Sequence, residues 1–170
     1  MKWAKVKEIL VMTVLTLLYI ACFPVNPLVL TGVLETSYFL PSYIIGWIVW
    51  AVGMVLVMAP IIMFPRRGGV AKGKTFVHTT KLVDTGIYSV VRHPQYLGGI
   101  LALFLTTLLL YPHWLFVVLG VPGVAILYVS MIIEDKHLVE QFGDDYTEYM
   151  RRVPRANLVM GIIQHWRHWK

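Results

Sequence analysis

The longest uncharged stretch of the chain runs from His93 to Ile133, 41 residues without a Lys, Arg, Asp or Glu. As one straight helix it would be roughly 60 Å long, about twice the hydrocarbon thickness of a bilayer. Pro112 interrupts it near the middle, and proline both removes a backbone donor and disfavours helix at the preceding residue. The stretch therefore predicts a transmembrane hairpin, about Tyr96 to Tyr111 and Trp114 to Ile133, whose two ends return to one membrane face.

Two further uncharged stretches predict one more helix each, about Val6 to Phe23 and Tyr43 to Phe64. Of the 170 residues, 58% are hydrophobic and 14% charged, against roughly 25% charged in soluble domains. We therefore expect an all-α integral membrane protein, a single domain over residues 1–170 that forms a polytopic bundle of about four transmembrane helices with cytosolic amphipathic helices. A cleaved signal peptide is the alternative for the first segment, and the lack of a small-residue cleavage site favours an anchor. The conformation of residues 24–42 stays open: Leu28 to Val33 fit an extension, a re-entrant piece or a surface-lying segment.

Basic residues occur before the first predicted helix, between the second and third, and after the fourth. The bias of Lys and Arg in short loops sets membrane topology, so both termini and the loop of residues 66–92 are predicted to be cytosolic. The net charge of +6 is interpreted as attraction to anionic lipid headgroups, with the bilayer and not nucleic acid as the partner. The tail of residues 157–170 is predicted to be an interfacial amphipathic helix.

The single cysteine, Cys22, excludes a disulfide framework within one chain. His165 and His168 are three residues apart and could touch one metal ion on a helix. No third ligand is close in the sequence, so no metal site is predicted.

Two polar segments flank the hairpin, Arg92–Gly98 before it and Glu134–Gly143 after it. The hairpin is predicted to bring His93 near Glu134. A carboxylate at the end of a membrane helix is costly unless it is solvated or paired, which makes Glu134 a functional candidate by position. In the alternative interpretation, Arg92 and His93 are interface anchors.

The segments beside the hairpin carry their own turn and helix signals. Residues 134–150 have helical periodicity, and Gly143 near their middle indicates a break or a close approach. Asp84-Thr85-Gly86 predicts a turn, because glycine tolerates positive φ. The loop of residues 65–92 is long enough to fold over a ligand, and its apolar side chains argue against plain disorder.

Several motifs of the C-terminal half stand in a specific order and spacing, although each is weak alone. They are Leu82–Tyr88, Arg92–Gly98, Glu134-Asp135 with Leu138, Phe142–Tyr146 with Tyr149, and Val153-Pro154-Arg155. The set resembles the successive motifs of the isoprenylcysteine carboxyl methyltransferase family and its phospholipid methyltransferase relatives. The first two predicted helices match that family only as generic membrane helices.

The resemblance implies a pocket for S-adenosylmethionine at the cytosolic ends of the helices, within about residues 73–155, and an acceptor that enters from the membrane. Arg92 and Glu134 are expected to position the reactants, and no base is evident. The positions that match cofactor-binding residues of the family are Lys81, Leu82, Val83, Tyr88, His93, Pro94, Gln95, Tyr96 and Glu134.

One departure bears on the acceptor. Ser130 occupies the position where the carboxyl methyltransferases have an arginine that is thought to hold the acceptor carboxylate, and serine cannot form a bidentate cationic clamp. The expected function is methyl transfer from S-adenosylmethionine to a lipophilic acceptor, with a prenylcysteine carboxylate as one candidate. The alternatives are a phospholipid amine, a small thiol, or a non-catalytic membrane protein with a degenerate form of the fold. A transporter is less favoured, because the predicted helices hold few polar groups near mid-bilayer.

Overall fold

The structure is a computed structural model that describes residues 26–37, 39–69 and 80–168. These residues form helices and no strand, which confirms the all-α prediction. The helix predicted over residues 6–23 lies outside the described residues. The helices are α1 (Pro27–Leu30), α2 (Leu40–Arg67), a 3-10 turn (Gly86–Ser89), α3 (Pro94–Leu110), α4 (Trp114–Phe142), α5 (Asp144–Arg152) and α6 (Leu158–His168).

Two of the described helices are long and apolar enough to cross a membrane by length and composition, Leu40–Met63 within α2 and Trp114–Phe142. They correspond to the second and fourth predicted helices. The third predicted helix is present as the shorter apolar helix α3. Large apolar side chains on α2 face outward, among them Val55, which is 67% exposed. This pattern is typical of a helix that contacts lipid.

The described residues group into two compact units, 26–53 with 99–127 and 54–98 with 128–168. In the first unit, α3 ends at Leu110 and α4 begins at Trp114, so the turn lies at Pro112 as predicted. The middle of α3, Ile100–Leu105, is π-helical, and the hydroxyl of Thr106 donates to the Leu101 carbonyl there at 2.8 Å. Such single π-helical turns insert an extra residue into a helix.

The second unit contains the C-terminal part of α4 and all of α5. Helix α4 continues nine residues beyond the predicted end at Ile133 and stops at Phe142. Gly143 follows with φ +61°, a conformation that favours glycine, and α5 begins at the next residue. The helical signal of residues 134–150 therefore belongs to two helices, and the structure confirms the break at Gly143. The inner face of α5 is buried through Tyr146 and Tyr149, which pack with Val153, Leu82, Leu138, Val139, Phe142 and Met150.

The last helix of the second unit, α6, packs against the backbone that precedes α3. Asn157 caps its N-terminus, since its side-chain oxygen accepts from the Met160 amide at 3.0 Å. A Cβ atom on Gly161 would lie 1.8 Å from the Val90 carbonyl oxygen, so only glycine allows this approach. The opposite face exposes apolar side chains, among them Val159 at 69% and Trp166 at 72%. The helix is present as predicted, and its interfacial position remains a prediction.

Candidate active site

A cavity in the second unit is lined by side chains from the segment before α3, from α3 itself, and from α4 and α5. Its volume is about 180 Å³. All nine positions predicted to bind a cofactor line this cavity, together with Arg92. The lining residues are Lys81, Leu82, Val83, Tyr88, Arg92, His93, Pro94, Gln95, Tyr96, Glu134, Leu138, Gln141, Phe142, Tyr146 and Tyr149. Ser130 is not among them, and its role in substrate binding remains a prediction.

Behind the cavity lining lies the carboxylate of Asp135, whose side chain is 6% exposed. Its Oδ1 accepts hydrogen bonds from Nη1 of Arg92 at 2.9 Å, Nε2 of His93 at 2.8 Å and the hydroxyl of Tyr146 at 2.6 Å. Its Oδ2 accepts from Nε of Arg155 at 2.8 Å. Four donors, two of them cationic, satisfy this buried charge and keep it ionised.

Glu134 and Asp135 are neighbours on α4 with different surroundings. The side chain of Glu134 is 43% exposed, and its Oε2 lies 3.9 Å from Nδ1 of His93. Successive residues on an α-helix point about 100° apart. One carboxylate of the pair therefore lies at the edge of the cavity, while the other is buried behind the imidazole.

The backbone of residues 92–93 pairs with the segment after α5. The amide of Arg92 donates to the Pro154 carbonyl at 3.0 Å, and the amide of His93 donates to the Arg155 carbonyl at 3.1 Å. The next residue, Pro94, is the first residue of α3, a position where the missing amide of proline costs nothing. These contacts explain why the Val153-Pro154-Arg155 motif accompanies the Arg92–Gly98 motif in one chain.

Three buried tyrosines form another part of the cavity wall. The hydroxyl of Tyr149 donates to the Tyr88 carbonyl at 2.6 Å, which joins α5 to the 3-10 turn. Burial raises the pKa of Tyr88, Tyr146 and Tyr149 above the ordinary tyrosine value. The hydrogen bond to Asp135 raises the pKa of Tyr146 further. All three phenols therefore remain neutral donors at neutral pH.

Residues 41–145 match the model of the phospholipid methyltransferase family. The chain belongs to this family. The match confirms the resemblance inferred from the motifs of the C-terminal half, and the protein is a member of a membrane methyltransferase family.

Curated relatives of this phospholipid methyltransferase family member are named for a thiol substrate. The chain is 29% identical over 112 residues to the methanethiol S-methyltransferase of Pseudomonas deceptionensis. The aligned region covers 63% of this chain and 41% of that protein. It is 37% identical over 68 residues to methanethiol S-methyltransferase 2 of Bradyrhizobium diazoefficiens. Here the aligned region covers 40% of this chain and 25% of that protein. The chain thus spans less than half the length of these relatives. No solved structure matches it.

The hydrogen-bond donors and acceptors of the cavity fit S-adenosylmethionine, which this family generally uses. Nε of Arg92 is buried and has no hydrogen-bond partner in the described part of the chain. A buried donor of this kind is costly unless it meets an acceptor, and a ligand carboxylate would supply one. Glu134 supplies an acceptor for an ammonium or a hydroxyl group. Sites for ligands usually measure about 300–1,000 Å³. S-adenosylmethionine would therefore extend beyond this cavity of about 180 Å³.

Sequence reasoning missed Asp135 and Arg155 as site residues of this phospholipid methyltransferase family member, although both lie in the motifs that carried the resemblance. Periodicity alone does not show which residue of an acidic pair faces inward. One signal was available: the two arginines and the histidine in the motifs require a carboxylate partner if they are buried, because buried charges are almost always paired.

Proposed function

We propose that this protein is an integral-membrane methyltransferase that transfers a methyl group from S-adenosylmethionine to a small lipophilic thiol. One observation carries the proposal: the nine positions that match the family's cofactor residues converge on one cavity, although they come from segments about forty residues apart in the sequence. The names of the relatives in Pseudomonas and Bradyrhizobium support the thiol.

Each part of the methyl donor has a candidate contact in the cavity. Arg92 would hold the carboxylate through Nε, and Glu134 would hold the ammonium or a ribose hydroxyl. The rings of Tyr88 and Tyr96 would pack on the adenine or the sulfonium, which aromatic faces attract as they attract other cations. When bound, the sulfonium supplies an activated methyl group. The protein therefore has mainly to orient the acceptor and exclude water.

The lining of the cavity supports a thiol more than a prenylcysteine carboxylate. Serine at position 130 leaves the acceptor without the family's arginine, and Ser130 does not line the cavity. The only described arginine that does, Arg92, donates to Asp135 through Nη1, and its Nε would hold the carboxylate of the methyl donor. A thiol needs no cationic clamp, because the site requires space and a way to remove a proton. The second candidate acceptor is a phospholipid amine, which the family description favours.

The proposal includes the topology predicted from the basic residues, with the cavity and both termini on the cytosolic face and the bilayer as the source of the acceptor. The two apolar helices support a membrane location. A reporter fused after residue 170 is expected to give a cytosolic signal. An extracytoplasmic signal would contradict the topology without affecting the chemistry.

Binding and transfer can be tested on the purified protein. Titration with S-adenosylmethionine and its demethylated product is expected to saturate, and labelled methyl groups should appear on methanethiol and on larger lipophilic thiols. Glu134→Gln should weaken cofactor binding by about tenfold, as expected for the loss of a charge-assisted hydrogen bond. Glu140→Gln changes an exposed residue of the same helix and should have no effect.

Two results would overturn parts of the proposal. Absence of saturable binding would favour a non-catalytic membrane protein. Methylation of a phospholipid extract or a prenylcysteine analogue, with no transfer to any thiol, would replace the thiol with the other acceptor.

A further inference from the structure

The imidazole of His93 lies between two carboxylates. Nε2 is 2.8 Å from Oδ1 of Asp135, and Nδ1 is 3.9 Å from Oε2 of Glu134. The His93 side chain is only 3% exposed, and it lines the cavity. No hydrogen bond from the described part of the chain reaches Nδ1. The ring is therefore hydrogen-bonded through Nε2, and Nδ1 faces the carboxylate of Glu134 at 3.9 Å.

The partners of Asp135 determine which nitrogen of His93 carries the proton. Oδ1 also accepts from Arg92 and from Tyr146, so it acts as an ionised acceptor. Nε2 of His93 must then be the donor in its own contact with Oδ1. In the neutral imidazole, this leaves the lone pair on Nδ1.

We propose that His93 is the general base of the reaction and accepts the proton of the acceptor thiol at Nδ1, with Asp135 as the positioning residue. This inference rests on the proposed function. The thiolate, and not the thiol, is the nucleophile, and an alkanethiol is mostly protonated at neutral pH. An acceptor of this kind therefore needs a base, and a base oriented by a third group is the usual arrangement for activating a nucleophile.

The proton and the electrons balance in one step. The S–H bond breaks, and its proton goes to the lone pair of Nδ1. The thiol sulfur forms a bond to the methyl carbon as the bond between that carbon and the sulfonium sulfur breaks. The electron pair of the broken bond stays on the sulfur of the demethylated product, which becomes a neutral thioether. The imidazolium then lies between Asp135 and Glu134 and later releases its proton to water.

Several other charged or titratable groups surround the imidazole. Arg92 precedes His93 and shares Oδ1 of Asp135, while Arg155 binds Oδ2 from the segment after α5. Tyr96 on α3 has its ring 5.7 Å from the imidazole, and Lys81 lines the same cavity. The two α4 carboxylates lie within ion-pair distance of the ring nitrogens of His93, at 2.8 and 3.9 Å.

The test compares two thiols of similar size and different acidity. Phenylmethanethiol is protonated at neutral pH, whereas 4-nitrobenzenethiol is already ionised. The variant is His93→Gln, because the side-chain amide of glutamine can still donate to Asp135 but cannot accept a proton. At saturating cofactor, it should lower the rate with phenylmethanethiol by about 10²–10⁴-fold more than it lowers the rate with 4-nitrobenzenethiol.

Two further measurements do not depend on turnover. The affinity for the demethylated cofactor product, measured by calorimetry, gives the part of any loss in His93→Gln that comes from cofactor contacts, so the rates are compared at saturating S-adenosylmethionine. Nitrogen NMR of labelled histidine, assigned by the signal that this variant loses, should show a protonated Nε2 and an unprotonated Nδ1 in neutral His93.

The outcomes separate this inference from the proposed function. Equal losses with the two thiols, or a proton on Nδ1 in the neutral ring, would overturn the role of His93 as base. A wild-type protein that binds no cofactor or methylates neither thiol would overturn the proposed function, and the inference with it.

Discussion

Nε of Arg155 lies 2.8 Å from Oδ2 of Asp135 and joins the segment after α5 to α4. Because Oδ1 of the same carboxylate binds Arg92, His93 and Tyr146, Asp135 connects several elements of the cavity wall. One buried anion thus holds both arginines and the imidazole in place.

Removal of the charge from Asp135 should destabilise the protein. Asp135→Asn leaves Arg92 and Arg155 without their anion, and a broken buried ion pair costs about 3–5 kcal/mol. The free energy of unfolding in detergent measures the loss. The control is Glu134→Gln, at a carboxylate that is 43% exposed and should change that free energy by less than about 1 kcal/mol. Equal losses in the two variants would contradict the central role of Asp135.

The hydroxyl of Tyr149 should stabilise the 3-10 turn that carries Tyr88. Tyr149→Phe removes the donor to the Tyr88 carbonyl and should lower the free energy of unfolding by about 1–3 kcal/mol, the usual cost of an unpaired buried polar group. The control is Tyr128→Phe, which should change the free energy of unfolding less. Tyr128 is 48% exposed, and its hydroxyl makes a longer hydrogen bond, 3.4 Å, with Nη1 of Arg155. No change in Tyr149→Phe would show that this hydrogen bond contributes nothing to stability.

A side chain at position 161 should separate α6 from the backbone at Val90. The Cβ of Gly161→Ala would lie 1.8 Å from the Val90 carbonyl oxygen, and overpacking of this kind costs about 1–3 kcal/mol. Hydrogen exchange should become faster in α6. Val159→Ala, on the exposed face of the same helix, should leave exchange unchanged. Wild-type exchange in Gly161→Ala would show that α6 does not depend on this contact.

High pH should destabilise the fold through the tyrosines. The pKa of Tyr146 is raised in the folded protein, by burial and then by its bond to Asp135, so the folded state keeps a proton that the unfolded state loses above about pH 10. The unfolded state then binds fewer protons, and stability falls as pH rises through that range. The unfolding temperature should therefore fall more steeply with pH in the wild type than in Tyr146→Phe. Identical slopes would contradict this prediction.

Patterns along the chain were sufficient to predict the hairpin and many of the residues that line the cavity. The uncharged stretch from His93 to Ile133 is about twice as long as a helix that spans a bilayer once, which excludes one straight helix. Pro112 marks the turn. The resemblance of the motifs identified nine of the fifteen lining residues as cofactor positions and also singled out Arg92, but it did not single out the five lining residues on the later part of α4 and on α5. Gly143 indicated a break or a close approach within residues 134–150, and the structure has α4 end just before it, where glycine tolerates the positive φ.

The tertiary structure decided which side chains meet inside that frame. The sequence by itself determined that Glu134 and Asp135 directly follow the uncharged stretch, and it pointed to Glu134. Packing of α4 turned Asp135 inward to Arg92 and Arg155 and left Glu134 at the cavity. The physical reason is that periodicity shows which face of a helix is buried only where apolar and polar residues recur at helical spacing. In a pair of adjacent acids, the buried member is the one whose partners lie close in space, and these partners come from distant parts of the chain.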